Sequence, residues 1–144
     1  MKTLAKVLLL ILAACAPALA EETDLYNGAA EAKAYIADDL TIYLWDGEPV
    51  AYLDPSRSST EVDVYGFNGK HLGWFRRGIM FNHDGYAVGA VRDAFISKPA
   101  FAPFKGFKQF KPFKTFKQFA PFQPFFKKSW SDTSLTRHLR EGIN

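Results

Sequence analysis

The sequence predicts an all-β protein. Four sequential two-stranded β-hairpins form a pseudo-four-fold meander or small barrel, and a low-complexity tail follows. Three observations support this prediction. A twelve-residue pattern occurs four times between residues 25 and 91. Three copies carry Asp-Gly or Asn-Gly at their centre, the strongest short-range hairpin signal. Phenylalanine then recurs at every third position from residue 101 to residue 125, a period that fits neither an α-helix nor a β-strand.

The four copies of the pattern align without gaps and cover residues 25–36, 42–53, 64–75 and 80–91. The first position is aliphatic or Met, the second is aromatic, and the tenth is Ala or Gly in every copy. A single hairpin is marginally stable in water, so the four copies are expected to share one core. We therefore assign residues 24–93 to one domain.

The central residue pairs predict two-residue type I′ turns, which need positive φ at both residues. These pairs are Asp46-Gly47, Asn68-Gly69 and Asp84-Gly85, whereas the first copy has Ala29-Ala30. Such a turn would place the second, ninth and eleventh positions on one side of the hairpin, and the first and tenth on the other. By the same alternation, His71 and His83 would project to opposite sides and would not share a metal.

The segments TIYLWDGEPVAYLD, VYGFNGKHLGWF and FNHDGYAVGA, in this order, resemble the four-fold β-flower proteins of bacteria. The resemblance covers residues 24–91 and implies four hairpins around a common axis. It implies no catalytic residues, because the family has no assigned activity. The first copy departs from the pattern, since it lacks the turn glycine and has Lys33 at the ninth position.

Residues 1–20 are typical of a signal peptide. Lys2 and Lys6 precede the apolar run VLLLIL, which is too short to span a bilayer. The favoured cleavage site follows Ala20 in the small-x-small motif ALA. The alternative is a lipobox, LAAC, in which Cys15 would be lipidated and anchor a lipoprotein. Both interpretations predict an exported protein, periplasmic or secreted. Cys15 is the only cysteine, so an internal disulfide is excluded.

Charge is divided unevenly along the chain. Residues 21–93 contain six Lys or Arg against thirteen Asp or Glu, a net charge of −7. Residues 94–144 contain ten against two, a net charge of +8. The tail is therefore expected either to fold back on its own acidic domain or to bind an acidic partner.

Residues 94–128 form a low-complexity segment in which Phe occupies every third position and Lys often follows it. Three residues per turn is the period of polyproline II, the one regular conformation that keeps every Phe on one ridge. The low-complexity composition favours disorder in the absence of a partner, so both interpretations stay open. Partners expected for this tail are an anionic membrane surface, a cell-wall polymer or an envelope protein. The candidate contact residues are Phe104, Lys105, Phe107, Lys108, Phe110, Lys111, Phe113, Lys114, Phe116 and Lys117.

Residues 129–144 are compatible with a short helix or with a frayed terminus. Ser131 or Asp132 would be the N-cap, Leu135 and Leu139 lie one turn apart, and Gly142 would end the helix.

No motif for nucleotide, zinc or serine-hydrolase chemistry occurs, so we expect a non-enzymatic exported binding or structural module without cofactor or metal. Trp45, Phe67 and His83 share the fourth position beside the turns and form the candidate binding surface of the domain. The acidic domain and the export signal argue against nucleic acid. The alternatives are a membrane-active or toxin-like secreted factor and a small hydrolase acting through His83 and Asp84.

Overall fold

The structure, a computed structural model, describes residues 21–55 and 61–144. It is a closed barrel of eight antiparallel strands, which confirms the predicted all-β fold. The predicted signal peptide, with Cys15 and the predicted cleavage site after Ala20, lies outside the described residues. Strands and helix have the following bounds: β1 Thr23–Tyr26, β2 Ala32–Ile36, β3 Thr41–Leu44, β4 Pro49–Asp54, β5 Glu61–Gly66, β6 His71–Arg76, β7 Ile79–Phe81, β8 Ala87–Ala90 and α1 Leu135–Arg140.

Each strand pairs with its neighbours in sequence, and β8 returns to β1 through the pair Tyr26 and Ala90. The four hairpin turns therefore gather at one end of the barrel and the three connectors at the other. The connector between β6 and β7 is a two-residue turn in which Arg77 and Gly78 have φ of 51° and 80°. Both values lie in the left-handed region.

The hairpin turns differ from the predicted type I′ geometry. In the second hairpin, Leu44 N donates to Glu48 O, which leaves a three-residue loop, and Gly47 N donates to Leu44 O. Only the third loop residue has positive φ: 97° at Gly47, 87° at Gly69 and 85° at Gly85, while Ala30 takes this place in the first hairpin with 61°. The type I′ prediction is wrong because one left-handed residue after a tight turn closes the hairpin equally well.

A β-bulge follows each turn and changes which residues face the core. In the second hairpin Ile42 pairs with Ala51 and Tyr43 with Pro49, so Val50 is the extra residue. The same register shift occurs in the other three hairpins. The prediction that the ninth position shares a side with the second is therefore wrong, because the bulge turns Val50 toward the same core as Ile42.

The barrel interior is aliphatic and is completed by the C-terminal helix. One buried cluster contains residues from all eight strands together with Leu135 and Leu139, which are 1% and 0% exposed. The N-cap of α1 is Ser134, whose side chain accepts a hydrogen bond from Arg137 N at 3.2 Å, rather than Ser131 or Asp132. Ser131 is engaged elsewhere, since its Oγ accepts from Thr133 N at 3.1 Å.

The outer face of the barrel is aromatic. Tyr35 stacks on Tyr43 with ring centroids 5.4 Å apart, and Tyr52 stacks on Tyr65 at 6.2 Å. All four rings are buried, although they point away from the barrel axis. Lysines of the chain that follows the barrel lie over them.

Candidate functional site: a phenylalanine belt around the barrel

Residues 100–127, here called the belt, run past all four hairpin turns in an extended conformation without helix or strand. At each turn one belt amide donates to the carbonyl of the left-handed loop residue. These bonds join Ala100 to Ala30, Gln109 to Gly47, Gln118 to Gly69 and Lys127 to Gly85, at 2.8 to 2.9 Å. The donors lie nine residues apart, so the belt advances by three triplets between one hairpin turn and the next.

The turn glycines allow the belt to approach closely. A Cβ at Gly47 would overlap the carbonyl of Phe107, and one at Gly69 would overlap the carbonyl of Phe116. A second set of bonds lies one triplet earlier, from Gly106 N to Trp45 O and from Thr115 N to Phe67 O, both at 2.9 Å. The fourth position of this set is Pro124, which has no amide hydrogen.

The belt has three faces, as expected for a segment with three residues per turn. The face that includes Gly106, Gln109, Thr115 and Gln118 donates backbone hydrogen bonds to the turns. The lysine face lies on the barrel. The phenylalanine face points away from it, and all its rings are between 91% and 102% exposed. This face consists of Phe101, Phe104, Phe107, Phe110, Phe113, Phe116, Phe119, Phe122 and Phe125.

The lysine face pairs with carboxylates of the barrel. Lys105 Nζ lies 2.8 Å from Asp24 Oδ1 and 3.2 Å from Glu22 Oε1. Farther along the belt, Lys111 pairs with Asp39 and Lys117 with Asp54. The belt therefore neutralises part of the acidic surface of its own domain.

Lysines of this face also lie over the outer aromatic rings. Lys105 Nζ is 4.4 Å from the ring centroid of Tyr35, and Lys114 Nζ is 4.1 Å from that of Tyr52. Both distances fall within the range of a cation–π interaction. Tyr35 and Tyr52 thus each offer an apolar ring to the lysine stem and a π face to its charge.

The ion pairs shift the pKa of their members. Burial acts to raise the pKa of Asp39, but hydrogen bonds from Lys111 and Thr41 outweigh it and hold that pKa at about 2. Burial acts to lower the pKa of Lys105, but Asp24 and Glu22 raise it overall. Both shifts favour the charged forms, so the belt and barrel are held as ions at neutral pH.

The structure places Trp45 and Phe67, two of the candidate binding residues, beneath the belt. Trp45 Nε1 donates to Pro103 O at 2.9 Å, and Phe67 is 3% exposed. The carbonyls of both residues accept belt hydrogen bonds. Trp45 therefore contacts the tail of its own chain through its side chain and its carbonyl, and Phe67 through its carbonyl.

His83, the third candidate, joins a polar cluster with His71 and Asp63. His71 Nδ1 lies 2.9 Å from His83 Nε2, and His71 Nε2 lies 2.9 Å from Asp63 Oδ1. The expectation that the two histidines project to opposite sides is wrong. The bulge at Leu72 turns His71 to the outer face. Among the described residues, no group of three or more His, Cys, Asp or Glu could hold a metal ion.

Comparison with protein families identifies the domain. The profile described as 4-fold beta flower protein matches residues 23–139, most of the chain. The chain belongs to the 4-fold β-flower family. A search of curated proteins found no match, and neither did a search of solved structures. The matched range of this β-flower includes the belt and α1, and so extends beyond the segment whose motifs first carried the resemblance.

Several residues of the β-flower site were missed by the sequence reasoning, above all Glu22, Asp24, Asp39 and Asp54, which anchor the belt. One signal in the sequence indicates which belt residues bond to successive hairpin turns. The tetrapeptide Phe-Lys-Gln-Phe occurs at residues 107–110 and again nine residues later at 116–119. Within the described part of the chain, no helix is both long and apolar enough to cross a membrane.

Proposed function

We propose that this protein is an exported, non-enzymatic module that attaches to a membrane surface through the phenylalanine face of its belt. The observation that carries the proposal is the nine-ring apolar ridge, with every ring more than nine-tenths exposed. Exposed apolar patches of this extent mark interaction sites on soluble proteins. Aromatic rings are well suited to the interfacial region of a bilayer, where surface-bound segments insert their apolar faces.

The phenylalanine face of the belt points outward and its lysine face points toward the barrel. This arrangement favours a bilayer over an acidic polymer as the partner. An acidic cell-wall polymer would require free lysines, yet Lys105, Lys111 and Lys117 pair with carboxylates of the barrel. The phenylalanines carry no such internal partner. Complete removal of one phenylalanine side chain from water contributes roughly 1.5–3 kcal/mol. Partial insertion of three neighbouring rings is therefore sufficient for reversible binding.

Export is part of the proposal and is supported by the N-terminal leader. Cleavage after Ala20 would leave β1, which begins at Thr23, intact. The lipoprotein alternative through Cys15 would add a second membrane attachment to the belt, and two attachments are what stable anchoring requires.

The proposal is tested by flotation of the mature chain, residues 21–144, with phospholipid vesicles. A triple variant carries F107S, F110S and F113S, three adjacent rings of the exposed ridge. We expect its partition into the vesicle fraction to fall about tenfold or more, because apolar contact is lost. The matched control has Leu at the same three positions and is expected to float like the wild type.

Truncation at residue 99 is a poor test because it would also remove Leu135 and Leu139 from the core.

Failure of the wild type to float, or equal flotation of the serine variant, would contradict the proposal. Concentration-dependent self-association without lipid would show that a second copy covers the ridge. Leakage of a trapped dye would favour the toxin-like alternative, whereas binding without leakage supports peripheral attachment.

A further inference from the structure

A basic cleft lies beside the end of the belt, where the chain after Phe125 meets the turn between β6 and β7. It has a volume of about 290 Å³. Its charged lining comes from two distant parts of the sequence. Arg76 ends β6 and Arg77 follows it in the turn, whereas Lys127 ends the belt and Lys128 follows it. Within the described residues, no carboxylate lines this cleft.

Four lysines of the belt pair with carboxylates of the barrel, but not every cation of the cleft does so. Among the described residues, Arg77 and Lys128 form no ion pair with a carboxylate. Lys127 lies over the ring of Tyr86 at 4.6 Å, and Arg76 is shared between Glu61 at 3.6 Å and the ring of Phe126. Arg77 and Lys128, two cations without a carboxylate partner among the described residues, therefore lie side by side in the lining of one cleft.

The walls of the cleft are held in place by the fold. Arg77 has positive φ in a two-residue turn, a conformation that persists only where the surrounding structure fixes it. Phe126 packs against Phe81 with ring centroids 4.7 Å apart and against Trp74 at 5.7 Å. The cleft thus combines an apolar, aromatic wall with guanidinium and ammonium groups, which together match a phosphate attached to an apolar body.

We infer that this cleft binds the phosphate headgroup of an anionic phospholipid in the membrane that the belt contacts. The inference rests on the proposed function. It is favoured by continuity, since Phe125, the last exposed ring of the belt, directly precedes Phe126 of the cleft wall. A lipid whose phosphate lies between Arg77 and Lys128 would have its acyl chains beside the phenylalanine ridge. The belt supplies apolar attachment, and the cleft supplies preference for anionic lipid.

The test compares the wild type with R77Q/K128Q on two kinds of vesicle, pure phosphatidylcholine and phosphatidylcholine mixed with phosphatidylglycerol. The wild type is expected to bind the mixed vesicles more tightly. The variant is expected to lose about thirtyfold in that affinity, roughly fivefold for each cation removed, and to bind pure phosphatidylcholine as before. The matched control, K70Q/K98Q, removes the same charge at exposed lysines outside the cleft and should keep the preference.

Equal binding of the wild type to both kinds of vesicle would contradict the inference that the cleft binds an anionic headgroup. It would leave the proposal that the belt binds membranes intact. An equal loss in K70Q/K98Q would show a general charge effect and would also overturn it. Inorganic phosphate is the competing probe: if it abolishes the preference at low millimolar concentration, free phosphate rather than lipid is the ligand, and the inference fails.

A second measurement is independent of vesicle binding. Short-chain dihexanoyl phosphatidylglycerol, kept below its micelle concentration, is titrated into labelled full-length mature protein and followed by NMR. We expect saturable shifts at the amides of Arg77 and Lys128 in the wild type and none in R77Q/K128Q. If the wild type shows no shifts there, the cleft inference fails even when the protein floats. If it shows them without flotation, the belt proposal alone has failed.

Discussion

Gly47, Gly69 and Gly85 each meet two requirements at one position. Each has positive φ, which closes the hairpin loop, and each lies where a Cβ would overlap a belt carbonyl. The sequence predicted the first requirement through the Asp-Gly and Asn-Gly pairs. The second was invisible to it, because the contacting carbonyls come from residues at least 40 positions away in the chain.

The replacement G69A is expected to destabilise the protein by about 1–3 kcal/mol, through left-handed strain and collision with the carbonyl of Phe116. Thermal unfolding followed by circular dichroism measures the effect. The first hairpin offers a control, since Ala30 already holds the equivalent position with φ of 61°. A30G should be neutral or mildly stabilising, and an unchanged Tm in G69A would contradict the dual role.

Burial lowers the pKa of His83, against the opposing influence of Asp84 and Glu141, and burial also lowers that of His138. The unfolded chain therefore takes up protons first as the pH falls through about 6.5. The contribution of these two histidines to the free energy of unfolding is fully present above this pH and is lost progressively below it. We expect Tm to decline from neutral pH to about pH 5, and H83Q to decline less steeply. Tm rising over this interval would contradict the assignment.

At the scale of single elements, the hairpins could be predicted because their turn residues and alternating pattern are local signals. The bulges could not, because an alternating strand pattern carries no local signal for the one extra residue in each hairpin. This is why Val50 and His71 were assigned to the wrong faces. The tail was harder still, since its three-residue period specified a conformation but not the surface on which it docks.

The helix α1 adds two apolar side chains, Leu135 and Leu139, to the core that the strands form. It has six residues, too few to be stable alone, so its order depends on docking into the barrel. The replacement L139A is expected to lower the free energy of unfolding by about 2–5 kcal/mol, because Leu139 is fully buried. Urea denaturation measures this loss. The adjacent exposed R140A should change it by less than about 0.5 kcal/mol, and similar values for both would contradict the docking.

At the scale of the whole molecule, the acidic domain and the basic tail are complementary parts of one surface. The alternative that the charge division left open, a tail folded on its own domain, is the arrangement in the structure. Since these pairs are partly exposed, salt should weaken them more than it weakens the barrel core.

Hydrogen exchange distinguishes the two layers. We expect the amides of Gly106, Gln109, Thr115 and Gln118 to exchange faster as salt is raised, while amides of β5 and β6 keep their protection. Mass-spectrometric exchange at low and high salt provides the comparison. Belt amides without protection at low salt would show that the belt does not dock, and equal acceleration in both layers would indicate global unfolding instead.

The nine-residue spacing restricts how this gene can change. Repetitive DNA readily gains or loses one short unit by replication slippage, and a unit here encodes three amino acids. A unit added before Pro103 would keep every later ring facing outward. It would, however, bring Pro103 and Pro112, which have no amide hydrogen, to the carbonyls that now accept from Gly106 and Thr115. The spacing between successive hairpins thus fixes the spacing of the belt donors. Only insertions or deletions of nine residues would bring the donors back to the hairpin carbonyls.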